Sequence, residues 1–186
     1  MKTIVSAILG ILVSSTVFAA TPLAIDKAHS SIEADVKATM DSFTAKLPAY
    51  DATIVADAAA KQVESAQVKF HFTDIKTGKD KRDTEMNHWQ ETPQFPDCVY
   101  VMDSLKPAGG DTYTATGKFT LHGVTKELSF PIKISFQPDG SCKLDSEFSL
   151  NTQDYGLPIF KKFGMLKVDP LLKIRFHLEG RAAGSS

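Results

Sequence analysis

From residue 112 to residue 136 the chain alternates almost without interruption. Tyr113, Ala115, Gly117, Phe119 and Leu121 hold one phase, and Thr112, Thr114, Thr116, Lys118 and Thr120 hold the other. After HGVT the alternation resumes, with Leu128, Phe130, Ile132, Ile134 and Phe136 set against Ser129, Pro131, Lys133 and Ser135. Successive side chains of a strand point to opposite faces, so each run predicts a strand with one buried and one wet face. The same period recurs in VKFHF (Val68, Phe70, Phe72), CKLDSEFSL (Leu144, Phe148, Leu150) and LKIRFHL (Leu172, Ile174, Phe176, Leu178). SIEADVKATM, with Ile32, Ala34 and Val36, and YDATIVAD predict two more strands, and CVYVMDSL a less regular one.

Between these runs stand DAAAKQ, KPAGGD, HGVTK and QPDGS, all of turn composition. Short strands at this spacing define an all-β chain, a sandwich or an antiparallel barrel of about eight strands. The turns from 98 to 150 are short enough for an antiparallel meander. His122 then falls at a hairpin corner beside Gly123, where a glycine tolerates positive φ. In that meander Cys98 and Cys142 begin strands running in opposite senses, three strands apart, which sets them at opposite ends of the sheet. Bridged cysteines need Cα atoms within about 7 Å, so the topology predicts two free thiols even in an oxidising compartment.

The N-terminus is of another kind. Lys2 precedes an apolar stretch from Ile4 to Val13, which runs on to the small residues of VFAA. This order predicts an export leader over residues 1–19, leaving residues 20–186 as one domain in the periplasm. Removing Lys2 leaves 20 basic against 22 acidic residues, scattered along the chain. There is no basic footprint for nucleic acid.

Two segments break the alternation. RDTEMNHW, residues 82–89, predicts a short helix beginning near Asp83 as N-cap, with Glu85, His88 and Trp89 on one face. DYGLPIFKKFGMLKVDP, residues 154–170, is interrupted by Pro158, Gly164 and Pro170, and its Tyr155, Phe160, Phe163 and Met165 need cover. The five histidines, at 29, 71, 88, 122 and 177, share no metal-ligand spacing, and His71 and His177 fall on outward faces. No GxSxG elbow and no glycine-rich phosphate loop occurs after the leader.

The stretch TGKFTLHGVTKELSFPI resembles the most recognisable stretch of the YceI-like family of exported lipid-binding proteins. DKAHSSIEADVK, RDTEMNHW, FPDCVYV, DYG and MLKVDPLLKIRFHLEG fall in the order expected of that family. Two departures lie in the N-terminal hairpin. Ala38 stands where the family commonly has a histidine, and Ala45, Lys46 and Leu47 stand where glycine, arginine and phenylalanine often follow.

The resemblance implies an extended antiparallel barrel of lipocalin-like shape around an apolar channel. Its ligand would be a long isoprenoid chain of polyprenyl or quinone type, with no other cofactor and no metal. Placed on the inward phase, the channel wall comprises Phe70, Phe72, Tyr113, Phe119, Phe130, Ile132, Ile134, Phe148 and Phe176. Trp89 and Phe160 join it from the irregular segments, and Arg82 and His88 are the headgroup candidates. An eight-stranded barrel either packs its interior with side chains or holds one slender ligand, and the pattern is the same for both. The function implied is to bind and shield such a lipid as a periplasmic carrier or reservoir, without catalysis. A periplasmic enzyme of unknown reaction is the alternative. A homodimer, or a transient contact with a membrane or membrane protein, is compatible with the carrier role.

Overall fold

In the computed structural model, which describes residues 20–39 and 41–182, every alternating run is a strand. The leader predicted over residues 1–19 lies outside the described residues. The strands are β1 Thr21–Ile25, β2 Ser31–Val36, β3 Phe43–Lys46, β4 Asp51–Asp57, β5 Gln62–His71, β6 Asp97–Gly109, β7 Thr112–Leu121, β8 Val124–Phe136, β9 Ser141–Asn151, β10 Lys161–Lys162, β11 Leu166–Lys167 and β12 Leu171–Ala182. Among the described residues the one α-helix, α1 Asp80–Trp89, stands between β5 and β6.

Eight strands close a ring in the order β1-β4-β5-β6-β7-β8-β9-β12, with β12 pairing back to β1 and all ladders antiparallel. The meander from β5 to β9 is the part the turn chemistry predicted. At the β7–β8 corner His122 and Gly123 both hold positive φ, 51° and 69°, and Leu121 pairs Val124. Two left-handed central residues are what a tight hairpin needs to match the twist of its strands.

Ring closure is uneven. β12 pairs β9 from Leu171 to Arg181, but its other edge is divided. Gly180 to Ala182 pair with β1, and Lys173 to His177 pair with β2. The β2–β3 hairpin therefore takes over the wall where β1 and β4 leave it. Its free edge meets the segment before α1 through a single bridge, Lys46 to Lys76. Across the barrel, the β8–β9 ladder stops at Lys133, two residues short of Pro131, which has no N–H to donate. The two strands separate from there.

These pairings give the interior two unlike halves. At the β1–β4 end it is solid, packed with Leu23, Ile54, Ala115, Ile132, Ile134, Leu144 and Leu178. Phe130 centres an aromatic layer above that core. It stacks on Phe148 with ring centroids 4.5 Å apart, and meets Tyr100 at 5.4 Å and Phe176 edge-on at 5.9 Å. Gly117 makes room for this layer, because a Cβ there would lie 2.8 Å from the Tyr100 ring. A second cluster of Phe72, Cys98, Leu121, Leu150, Tyr155 and Leu157 sits at the other end.

This corrects part of the predicted channel wall. Phe130, Ile132 and Ile134 are buried core residues, and Tyr113 and Phe176 pack against that core. All five have the inward phase that the alternation assigns them, at a height where the barrel is filled. The cysteines are both free and buried, Cys142 in the solid core and Cys98 in the second cluster. Burial pushes the Cys98 thiol up to about 12, helped by nearby Asp97, and the Cys142 thiol up to about 11.

Two measurements check this interior. At pH 8 a thiol-alkylating reagent should leave both cysteines unmodified in the folded protein, because burial and raised pKa values suppress the reactive thiolate. Both should be modified after denaturation without reductant, and a linked peptide pair within one chain would overturn the topology. Phe130→Ala should cost about 3–5 kcal/mol and Ile132→Trp about 1–3 kcal/mol in denaturant titrations, as a packed core requires. Losses within error for both variants would mean the β1–β4 end is not solid.

Candidate functional site

Above the aromatic layer the barrel is hollow. The cavity has a volume of about 670 Å³ and runs from Phe148 to the segments that cover the end of the barrel. Phe70, Phe119, Leu121, Leu128, Leu150, Leu172 and Ile174 line it from the barrel strands, and Phe72 from the 3-10 turn that follows β5. The β2–β3 hairpin and its flanks supply Ile32, Ala34, Val36, Ala38, Phe43, Ala45 and Leu47. Alanines at three of these positions leave space that larger side chains would fill. The one uncharged polar side chain of the lining, Thr152, is buried and directs its hydroxyl to the Pro170 carbonyl at 3.3 Å.

The helix lies across this end. It starts at Asp80, three residues earlier than predicted, with Lys79 at the N-cap. Asp83 does not cap it. Its carboxylate accepts the Thr77 N–H at 2.9 Å and the Thr77 hydroxyl, and so ties the first turn to the preceding loop. The stripe facing the cavity is Arg82, Glu85, Met86 and Trp89, an i, i+3, i+4, i+7 set. Trp89 anchors the stripe by donating its indole N–H to the Pro158 carbonyl at 2.8 Å.

Arg82 is the most constrained cation at the mouth. Its guanidinium lies 3.6 Å from the centre of the Phe43 ring, donates to the Thr77 carbonyl at 2.8 Å, and stands 3.5 Å from Asp41. Its Nε is buried without an acceptor. Lys162 of β10 pairs with Glu85, and Lys79 lies 3.6 Å from Asp41. Apart from Glu33 and Lys46 on the β2–β3 hairpin, every charged side chain of the lining comes from a loop, α1 or β10. The site is an apolar well with a charged rim.

Six of the predicted wall residues line this cavity: Phe70, Phe72, Trp89, Phe119, Phe148 and Phe160. Arg82 lies at the mouth, but His88 is exposed on the outer side of α1 and does not line the cavity. His88 follows Glu85 by three residues, as the helical spacing requires, yet the stripe turns toward Trp89 and Met86. The β2–β3 wall was not singled out beforehand. Its inward phase was legible from Ile32, Ala34 and Val36, but alanines carry little weight in a search for aromatic walls.

The histidines lie elsewhere. His122 has Nδ1 3.3 Å from the Tyr155 carbonyl and meets the Phe95 ring at 4.5 Å, so it locks a corner. His71 and His177 pair outside the barrel with Asp97 at 2.8 Å and Asp145 at 2.6 Å. Among the described residues no group of three or more His, Cys, Asp or Glu side chains is placed to hold a metal ion.

Comparison with known proteins agrees with this architecture. The crystal structure of Burkholderia cenocepacia BcnA superposes with a TM-score of 0.72 at 22% identity, over 83% of this chain and 98% of that one. A polyisoprenoid binding domain from Saccharophagus degradans, implicated in plant cell wall breakdown, superposes with a TM-score of 0.63 at 16% identity, over 87% of this chain and 97% of that one. Among sequences, a UPF0312 protein of Pseudomonas savastanoi pv. phaseolicola is 26% identical over 117 residues, which is 58% of this chain and 60% of that protein. The match thus spans less than two thirds of the curated relative. Residues 23–180 match the YceI-like domain from the first barrel strand to the last, and the chain belongs to the YceI-like family.

Proposed function

We propose that the cavity holds the chain of an isoprenoid-type lipid, of polyprenyl or quinone class, and that the protein shields it as a periplasmic carrier or reservoir. The observation that carries this reading is the division of the barrel. A well of about 670 Å³ with apolar walls is closed below by packed aromatic rings and edged above by charge. That volume falls within the range of about 300–1,000 Å³ usual for small-molecule sites. Each methylene moved out of water contributes roughly 0.8 kcal/mol, so a long tail gains more from this interior than any single polar contact supplies. The tail would enter first and rest against Phe148, with its headgroup left at the rim.

Similarity to the Saccharophagus degradans domain supports the class of ligand. The apolar walls of the well suit a lipid tail. Residues 1–19, removed as an export leader, would leave the chain in the compartment where a lipid must cross water between membranes. At the rim, Arg82 is the headgroup candidate, since its guanidinium, held in place by Phe43 and the Thr77 carbonyl, presents a fixed cation at the mouth to a phosphate or quinone oxygen.

Native mass spectrometry of protein taken from the periplasmic fraction tests the reading. The parent should carry a co-purifying isoprenoid-type lipid. Ala45→Trp, which projects an indole into the hollow half, should lower occupancy by about tenfold or more while the thermal midpoint stays near that of the parent. A parent without lipid under any supply, or an Ala45→Trp variant with full occupancy, would overturn it. Arg82→Gln should weaken binding of a polyprenyl phosphate by about tenfold, the worth of one charge-assisted hydrogen bond, and leave a headless polyprene hydrocarbon unaffected. Equal losses for both ligands would place Arg82 in the framework instead of the recognition of headgroups.

A further inference from the structure

The β10–β11 hairpin extends from the rim and ends in the three-residue turn Phe163, Gly164, Met165. Phe163 is 86% exposed and Met165 71%, far more than any other large apolar side chain among the described residues. Phe163 also holds φ 52°, a left-handed conformation that asparagine or glycine adopts readily and a bulky side chain does not. Within the chain nothing offsets that strain by burial. The side chain's neighbour is the Lys162 ammonium, 5.2 Å from the ring centre.

Charge is arranged around this tip. Residues 161–168, KKFGMLKV, hold three lysines and no acid in a chain whose net charge is −1. Lys162 is matched by Glu85, but Lys161 and Lys167 face each other across the hairpin, exposed and outside any ion pair among the described residues. Lys81 on α1 is likewise exposed and unmatched, and it borders the same opening. The base of the hairpin is fixed to the barrel: Thr39 N–H donates to the Lys167 carbonyl at 3.0 Å and Asp169 N–H to the Lys37 carbonyl at 2.8 Å. Phe163 lines the cavity mouth as well as standing in solvent.

We propose that the β10–β11 hairpin is a membrane finger, which inserts Phe163 and Met165 into the interface of an anionic phospholipid bilayer and so sets the cavity mouth against it. An apolar tip flanked by lysines has the chemistry of an interfacial anchor. The ring and thioether enter the acyl boundary, while the ammonium groups remain among phosphate headgroups. Near an anionic surface each basic side chain is worth about fivefold in binding. Because Phe163 belongs to both tip and mouth, a lipid could pass between bilayer and well without its tail crossing water. The inference rests on the cavity reading above for its purpose, though the tip geometry stands independently of it.

Vesicle flotation tests it, with phosphatidylcholine alone and with about a third phosphatidylglycerol. The parent should bind the mixed vesicles, bind the neutral ones far less, and release in high salt. Phe163→Asn combined with Met165→Gln should reduce binding by about tenfold or more. Asparagine suits the left-handed position, so the thermal midpoint should not fall. Lys161→Glu with Lys167→Glu should abolish the preference for anionic vesicles. No vesicle binding by the parent, or equal binding by the Asn/Gln variant, would overturn the finger. So would a light-scattering shift from dimer to monomer in that variant, since the tip would then be a contact between two copies. Vesicle binding by a parent that never carries lipid would sustain the finger and overturn the cavity reading instead.

Discussion

The shape of the interior depends on how one edge of β12 is shared. A strand edge offers one row of N–H and C=O groups, and here two successive strands use it. β1 takes the row at Gly180 to Ala182, β2 takes it at Lys173 to His177, and the chain steps from one to the other between them. Gly180 admits β1 closely, since a Cβ there would stand 2.9 Å from the Ile25 side chain and 3.2 Å from the Ala24 carbonyl. Asp26 builds the step. Its carboxylate accepts the Ala28 N–H at 3.0 Å and contacts His29 Nδ1 at 2.8 Å, while its N–H donates to the Glu179 carbonyl at 2.8 Å. Below the step the ring closes tightly and fills. Above it the wall passes to β2–β3, which meets its next neighbour through one bridge, and the barrel opens.

Such a division separates a packed end from a hollow one. In the solid half, Ile54, Cys142 and Leu144 are almost wholly buried, and close packing there supplies the dispersion and burial that hold the ring together. The hollow half lacks those contacts across its middle and is held by its walls: the Phe72, Cys98 and Tyr155 cluster, the Trp89 anchor and the backbone ladders. An occupant that restores apolar contact there stabilises the fold by mass action. Ligand binding therefore adds to a barrel that is already complete at its other end.

The sequence carried the face of each residue well and its height poorly. Phe130 and Phe148 share the inward phase and stack on each other, yet one lies in the floor and the other lines the well. A two-residue period says which way a side chain points. It does not say how far along the barrel axis it sits, which is set by ladder register and by which strand closes the ring opposite. The meander was legible because its turns are short, and with it the separation of the two cysteines. The β12 edge was not, since both its partners come from the far end of the chain. Helix α1 was foreseen, but Arg82, Glu85, Met86 and Trp89 and the set containing His88 are one rotation apart, and only contact with the barrel chooses between them.

That missing height also changes the meaning of the two departures from the family pattern. Ala38, Ala45 and Leu47 all line the well, on the β2–β3 hairpin and its flanks. A histidine at the first of these positions would bring a polar ring to that wall, and here the methyl group of alanine replaces it. Lys46 turns its ammonium toward Glu33, 3.6 Å away, and leaves it largely in solvent. The upper wall thus gives a ligand apolar contact and no directed hydrogen bond. The cations of the mouth, Arg82, Lys81 and Lys162, come from α1 and β10, and under the proposed function polar recognition would fall to them. These cations sit on elements outside the barrel ladder, so a headgroup held there would be gripped by the cover of the well while its tail is gripped by the barrel. On the proposed reading, selectivity for tail and headgroup would be divided between the barrel wall and its cover, which meet where Arg82 stacks on Phe43.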